Sequence, residues 1–386
     1  MSPCTTAAAT VTATTTVAPP VFRALDAALF TRAQQLLDEE WLARDADLAP
    51  MLPIVLARGV GQDWHKAGTF RHHLVGVARS LALWQQPKDV RLLGLLHSVY
   101  GNAFVDLVKF DASSERDSLK AQIGEGAEHL VYLFCTISRT QFVQKLLAGD
   151  IAADGSLTLE KNGPEPRQTV MLSAYEVAAF AIVSMADSIE QWFSWQEDIY
   201  SRFPAVDASR QQAQHWAASL WPGPMRPSSR MLSQISGLGH ALQQHAVLKD
   251  QLPLPPVFDH CRQPLSAQGE AAAVALYWSV IQQDMPLVDL DVATATLEQA
   301  VQLNPWVGEP QMVLAQMYLS AGRAQDAAAA AESALQAFCS WGNAWDKRVQ
   351  WDAWIAWTRI LLQSAQEGTW PARLDKLNNM ALRTQG

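Results

Sequence analysis

Cysteine is scarce. The four cysteines among 386 residues, Cys4, Cys135, Cys261 and Cys339, form no C-x-x-C pair. That excludes a zinc ribbon and a disulfide framework and predicts a reducing, cytoplasmic setting. No apolar run reaches the ~18–20 residues of a transmembrane helix, so no membrane span is expected. No block of lysine or arginine stands out, and the net charge is -9. Nucleic acid is therefore not expected as a primary partner. The first twenty residues carry no charged side chain and close on Pro19-Pro20. A secretory signal has a basic start and a continuous apolar stretch, and a transit peptide has arginines. Residues 1–20 are read instead as a disordered tail.

Apolar residues make up 49% of the chain and charged ones 17%, the balance of a soluble globular protein. The length suffices for two domains, each with its own core. Fifteen tryptophans stand against six tyrosines, which predicts broad aromatic cores or an aromatic-lined pocket.

The chain is organised around Gly68–Asn102. Phe70, Leu74, Val77, Leu81 and Trp84 recur in steps of three and four, the mark of one buried helix face. Gln86-Pro87 breaks that pattern, and Val90, Leu92, Leu93, Leu95 and Leu96 begin a second. Two apolar helices joined by a short proline turn pack antiparallel, which lets His73 and His97 face each other across the pair.

On either side the pattern is mostly helical. Residues 21–58 read as helix, and Ile123, Ala127, Leu130, Val131 and Phe134 as another, with Glu125 and Glu128 on an adjacent face. Asp154-Gly155 within residues 149–160 carries the signature of a small β-hairpin. Helix resumes near Met171 and runs apolar to Asp187, a carboxylate that needs a partner if buried. Residues 201–270 read as a Pro-rich connector holding one helix, at about 228–249. Ala293, Leu297, Ala300 and Pro305 recur 34 residues later as Ala327, Ala331, Ala334 and Cys339. That helix–turn–helix period resembles tetratricopeptide repeats, with a tryptophan-rich last unit from Trp341 acting as a cap. The expected fold is all-α: a helical domain over 21–200 with a β-hairpin excursion, then a helical-repeat domain over 271–386.

Written as H-x-x-G-V … L-L-H-S-V-Y-G, the central stretch resembles the HD superfamily of metal-dependent helical enzymes. "LLHSVYG" with "IGEGAEHLVYLF" downstream is similar to uncharacterised HD-like proteins. The resemblance spans about 70–200. It implies His73 on the first helix, His97 at the end of the next and Asp187, in Met185-Ala186-Asp187, on a later one as metal ligands. Ser98 stands where the family has an aspartate that bridges two metals, which turns the expectation toward a single ion. His72 and His129 are the only nearby candidates for a second.

Two neutral imidazoles and one carboxylate with open positions suit a single Fe(II) that binds dioxygen and substrate. The same set can hold Zn or Mn with an activated water for hydrolysis. Trp84, Tyr100, Phe104, Tyr132, Phe134, Trp192 and Trp195 point to an apolar or aromatic small molecule. Tyr100 and Glu128 are the candidate acid and base, with Glu128 also a candidate partner for a ligating histidine. Arg71, Trp84, Phe104 and Arg139 are the candidate substrate contacts; arginines suit a carboxylate or phosphate. Each residue also has a plainer role: a histidine ending a buried helix often just bonds a carbonyl, and Asp187 can pair with Arg71 or Arg79. Three readings follow. The first, carried forward, is a mononuclear iron oxygenase with the repeats as a docking or dimerising arm. The others are a hydrolase with the same ligands, and a metal-free fold acting through its repeats as a protein-interaction module.

Overall fold

Thr69 opens the central helix. Its side chain accepts from His72 N–H while the His72 ring bonds back to the Thr69 backbone, a reciprocal cap. The structure, a computed structural model, describes residues 20–38, 40–65, 68–101, 107–163, 167–191, 231–282, 289–371 and 380–382. Residues 1–19 of the expected tail, Phe104, Trp192, Trp195 and residues 201–230 of the connector lie outside them, while Pro20 is described and buried.

The fold is all-α with two small antiparallel strand pairs among the described residues. In chain order the elements are α1 (Ala27–Leu36), α2 (Trp41–Arg44), α3 (Met51–Ala57), β1 (Trp64–His65), β2 (Gly68–Thr69), α4 (Phe70–Leu83) and α5 (Lys88–Leu96). There follow α6 (Arg116–Ile123), α7 (Glu125–Thr136), α8 (Arg139–Ala148), β3 (Leu157–Glu160), β4 (Thr169–Leu172), α9 (Ala174–Gln191) and α10 (Met231–Gln244). The C-terminal part holds α11 (Ala267–Ile281), α12 (Leu290–Leu303), α13 (Glu309–Ser320), α14 (Ala324–Trp341) and α15 (Trp351–Glu367).

Helices α4 and α5 form the antiparallel pair, with α9 against α4 and α7 against α5. Phe70, Leu74, Val77 and Leu81 are all buried, as are Val90, Leu92, Leu93, Leu95 and Leu96. The pair crosses closely at Gly94, where an added Cβ would lie 2.1 Å from Leu81 Cδ1. The helix expected within the connector, α10, packs on α8 and α9.

Two sequence readings need correction. Residues 21–26 are extended rather than helical, because Asp26 caps α1 by accepting from Ala28 and Leu29 N–H. This extended segment lies on α14: Arg23 N–H donates to Ser333 Oγ, Asp26 N–H to Gln336 Oε1, and the Arg23 guanidinium covers Trp306. The hairpin is also displaced. β3 pairs with β4, Leu157 opposite Leu172 and Glu160 opposite Thr169, so its connection runs over 161–168. Residues 149–150 instead end α8, with Gly149 left-handed at its C-cap and Asp150 N–H on Lys145 O. Asp154-Gly155 still turns the chain, into β3.

Helices α11 to α15 pack each on the next in chain order. The repeated small residues Ala293, Ala300, Ala327, Ala331 and Ala334 are buried. The last carbonyls of α14 have no partner inside their own helix; donors from α4 satisfy them. Trp84 Nε1 donates to Ser340 O (2.8 Å), Ser80 Oγ to Trp341 O (3.1 Å) and Arg79 Nε to Gly342 O (3.0 Å). Part of the tryptophan excess is packing of this kind, with Trp341, Trp351 and Trp354 each donating Nε1–H to a main-chain carbonyl.

Gly94→Ala should destabilise the chain by about 1–3 kcal/mol, because a methyl group is forced onto Leu81 in a filled core. A lower denaturant midpoint with an unchanged slope checks it.

Candidate metal centre

His73 lies on α4, His97 caps the C-terminus of α5 and Asp187 lies late on α9. All three are buried. One donor atom from each lies within 4.8 Å of the others. His73 Nε2 is 3.0 Å from His97 Nε2, and Asp187 Oδ1 is 3.4 Å from the first and 3.7 Å from the second.

The far side of each ring is fixed. His97 Nδ1 is 2.7 Å from Gly94 O, and a carbonyl only accepts, so the proton sits on Nδ1. His73 Nδ1 is 2.5 Å from Glu190 Oε2. Burial would raise the Glu190 carboxyl, but His73 outweighs it and holds Glu190 below its usual range, so it too accepts. In the neutral tautomers these contacts select, both Nε2 atoms carry lone pairs, and these meet each other and Asp187 Oδ1. The amide of Gln191 donates to this trio, at 2.6 Å from Asp187 Oδ1 and 3.2 Å from His73 Nε2.

Three lone-pair donors in contact suit a cation. Ligand atoms about 2.1 Å from one ion stand about 3.0 Å apart at right angles and about 3.4 Å apart at tetrahedral angles. The observed separations fall close to this range. Imidazoles held at Nδ1 by a carboxylate and a carbonyl are the usual supports of histidine ligands. The buried trio is thus able to hold a divalent metal, whose identity the donors leave open.

Asp187 does have a partner, though neither Arg71 nor Arg79. Arg139 donates to its Oδ2 and lies 4.6 Å over the Phe134 ring. Burial would raise Asp187; the Arg139 charge and the two histidines more than reverse this and hold it well below the carboxylate range. With Oδ2 occupied, Oδ1 is the oxygen presented to the centre. Cys135 Sγ–H donates to His97 O (3.2 Å) and ties α7 to the end of α5.

A cavity of about 540 Å³ opens beside His73, with Arg71, Glu190 and Gln191 in its wall. The other candidates lie elsewhere, apart from His72, which also lines the cavity. Tyr100 donates to Glu128 Oε1 (2.9 Å), and Arg116 Nε donates to the same oxygen at 2.7 Å and Arg116 Nη2 to Glu128 Oε2 at 2.8 Å. Burial would raise Glu128; Arg116 and Tyr100 outweigh it and keep the carboxyl low. Burial, reinforced by Glu128, raises the Tyr100 hydroxyl. The pair closes on Arg116 rather than on a histidine. Trp84 is buried against α14 and Arg139 is held by Asp187; neither lines the cavity. His72 is used in the α4 cap, and His129 bonds Glu176 at 2.9 Å.

Sequence reading missed Glu190 and Gln191, whose signal was their place three and four residues after Asp187, on the same helical face. It also missed His65, whose ring centroid is 4.5 Å from that of His73, and the cavity wall formed by the C-terminal part.

Burial, only partly offset by Asp187, lowers His97 from 6.5 to about 4, so its ring is neutral at pH 7. Unfolding frees it to titrate normally. As pH falls from 6.5 to about 4, the unfolded metal-free chain takes up a proton that the folded chain refuses, and stability drops. The lowered Asp187 adds a loss of the same sign at still lower pH. Denaturant unfolding of chelator-treated protein should show this decline, and His97→Asn should flatten it in the upper window.

Residues 54–139 match the family model of a domain of unknown function, DUF6817. The matched stretch holds His73, His97 and Arg139 and stops short of Asp187. No curated protein and no solved structure matches the chain.

Proposed function

We propose that the protein is a metal-dependent enzyme whose single ion is held by His73, His97 and Asp187, and that it is an Fe(II) oxygenase acting on a small molecule. The carrying observation is the convergence of two Nδ1-anchored imidazoles and one carboxylate oxygen beside a cavity. Two histidines and a carboxylate grouped on one side of an ion leave positions for substrate and dioxygen, the pattern of non-haem iron oxygenases. The order His73, His97, Asp187 also follows the HD superfamily resemblance.

When bound, iron supplies the redox chemistry. The chain's own residues fix the donors and shape the site. Glu190 and Gly94 O hold the two rings in one tautomer, Arg139 restrains Asp187 to one free oxygen, and Gln191 donates a hydrogen bond at the site's edge. Burial of the trio keeps bulk water away from it, and the cavity reaches it at His73.

A second reading, hydrolysis of a phosphate or related ester with Zn or Mn on the same ligands, has one observation in its favour. Arg71, Arg79 and Lys347 line the cavity, and cations of this kind suit an anionic ester.

Metal analysis by mass spectrometry, on protein purified without chelators, tests both. The native chain should carry near-stoichiometric iron, His97→Ala should lose it, and oxygen uptake should follow the iron. Zinc or manganese lost in the same way selects hydrolysis. No metal in the native chain, even after anaerobic reconstitution with Fe(II), refutes both.

A further inference from the structure

The cavity is built by both halves of the chain. One wall is α4, with Arg71, His73 and Arg79; another is the segment from Asn343 to Asp352, which leads from α14 into the first turn of α15. At about 540 Å³ it has the size of a small-molecule pocket. Three cations line it, together with Asp38, Glu190 and Asp352. Two of these carboxylates already have partners: Asp38 pairs with Arg44 at 2.7 Å and Glu190 with His73 at 2.5 Å. Glu190 keeps its charge beside a neutral His73, so among the cavity-lining residues Glu190 and exposed Asp352 together offset two of three positive charges.

The cations are also positioned. Arg79 is fixed by its Nε bond to Gly342 O and by the Trp351 ring 4.8 Å below its guanidinium. Arg71 has no ion-pair partner among the described residues. Lys347 bonds Asn343 Oδ1, and burial, partly offset by Glu190, lowers it to about 8. Desolvated cations with too little counter-charge favour an anion that brings its own oxygens.

We infer that this cavity binds a compact oxyanion, the carboxylate or phosphate of a small molecule, between Arg71, Arg79 and Lys347. The C-terminal domain thus completes the site rather than serving only as an appended arm. The oxyanion is the handle that sets the rest of the molecule before His73, His97 and Asp187. That role rests on the proposed metal-dependent reading; the anion binding itself does not.

Isothermal titration of the full chain with sodium phosphate, and separately with sodium acetate, tests the inference. Metal content is measured on the same samples. The native protein should bind at least one ion saturably. Lys347→Met, which keeps the stem and removes the charge, and Arg71→Gln should each weaken binding about tenfold or more, with metal content unchanged. Phosphate alone identifies a phosphate handle and acetate alone a carboxylate. No saturable binding of either ion by the native chain overturns the inference, as does binding that both variants leave intact. Should Lys347→Met fail to fold, Arg71→Gln on the half-buried cavity rim carries the test. Metal without anion binding refutes this inference alone, and anion binding without metal refutes the metal reading alone.

Discussion

The arrangement of the bundle depends on where two imidazole protons are held. Glu190 accepts from Nδ1–H of His73 and Gly94 O from that of His97, so in the neutral rings both remaining nitrogens present lone pairs. Water would donate to such lone pairs at no cost. A buried site has little water, and the three donors are left facing each other at 3.0 to 3.7 Å. Natural interiors rarely leave buried acceptors crowded together without a donor or cation. Gln191 supplies amide hydrogens in their place; a divalent ion satisfies all three donors at once.

Two glycines make this approach possible. At Gly94 the α4–α5 crossing is too tight for any side chain, and the same residue lends its carbonyl to His97. At Gly76, one turn beyond His73 on α4, an added Cβ would lie 2.8 Å from Glu190 Cγ. The gap left by that missing side chain is the one through which Glu190 passes to reach His73. Close helix packing and ligand orientation are therefore set by the same residues, and loss of either glycine disturbs both.

How much of this the sequence reveals follows from the range of each interaction. The apolar periods of α4 and α5 and the small-residue period of the C-terminal helices are local, so the helices and the facing histidines are legible. Asp187 stands out as a carboxylate within an apolar helix. Its partner does not: Arg71 and Arg79 are the arginines the sequence suggests, and only the path of α8 brings Arg139 to it. The hairpin was misplaced because Gly149 serves as a helix cap and the pairing strand Thr169–Leu172 lies beyond an intervening loop. Least legible of all is the cavity wall at Lys347, more than 260 residues from α4 along the chain, since no local pattern encodes such a contact. The tryptophans divide for the same reason: Trp84 serves the end of α14, whereas Trp41 and Trp351 line the cavity.

Charge ties the two halves together. Asp187 and Glu190 bring two negative charges to the centre and Arg139 one positive, leaving it short of cation by one. A divalent ion reverses that sign, next to a cavity that already holds Arg71, Arg79 and Lys347. In a partly desolvated space such an excess is weakly screened, so loading the metal strengthens the attraction for an anion in the cavity. By linkage, an anion there strengthens the hold on the metal by the same factor. Ser98 fits this balance. An aspartate at that position would add a negative charge beside His97 and favour a second cation, whereas a neutral hydroxyl leaves one ion and an electropositive cavity.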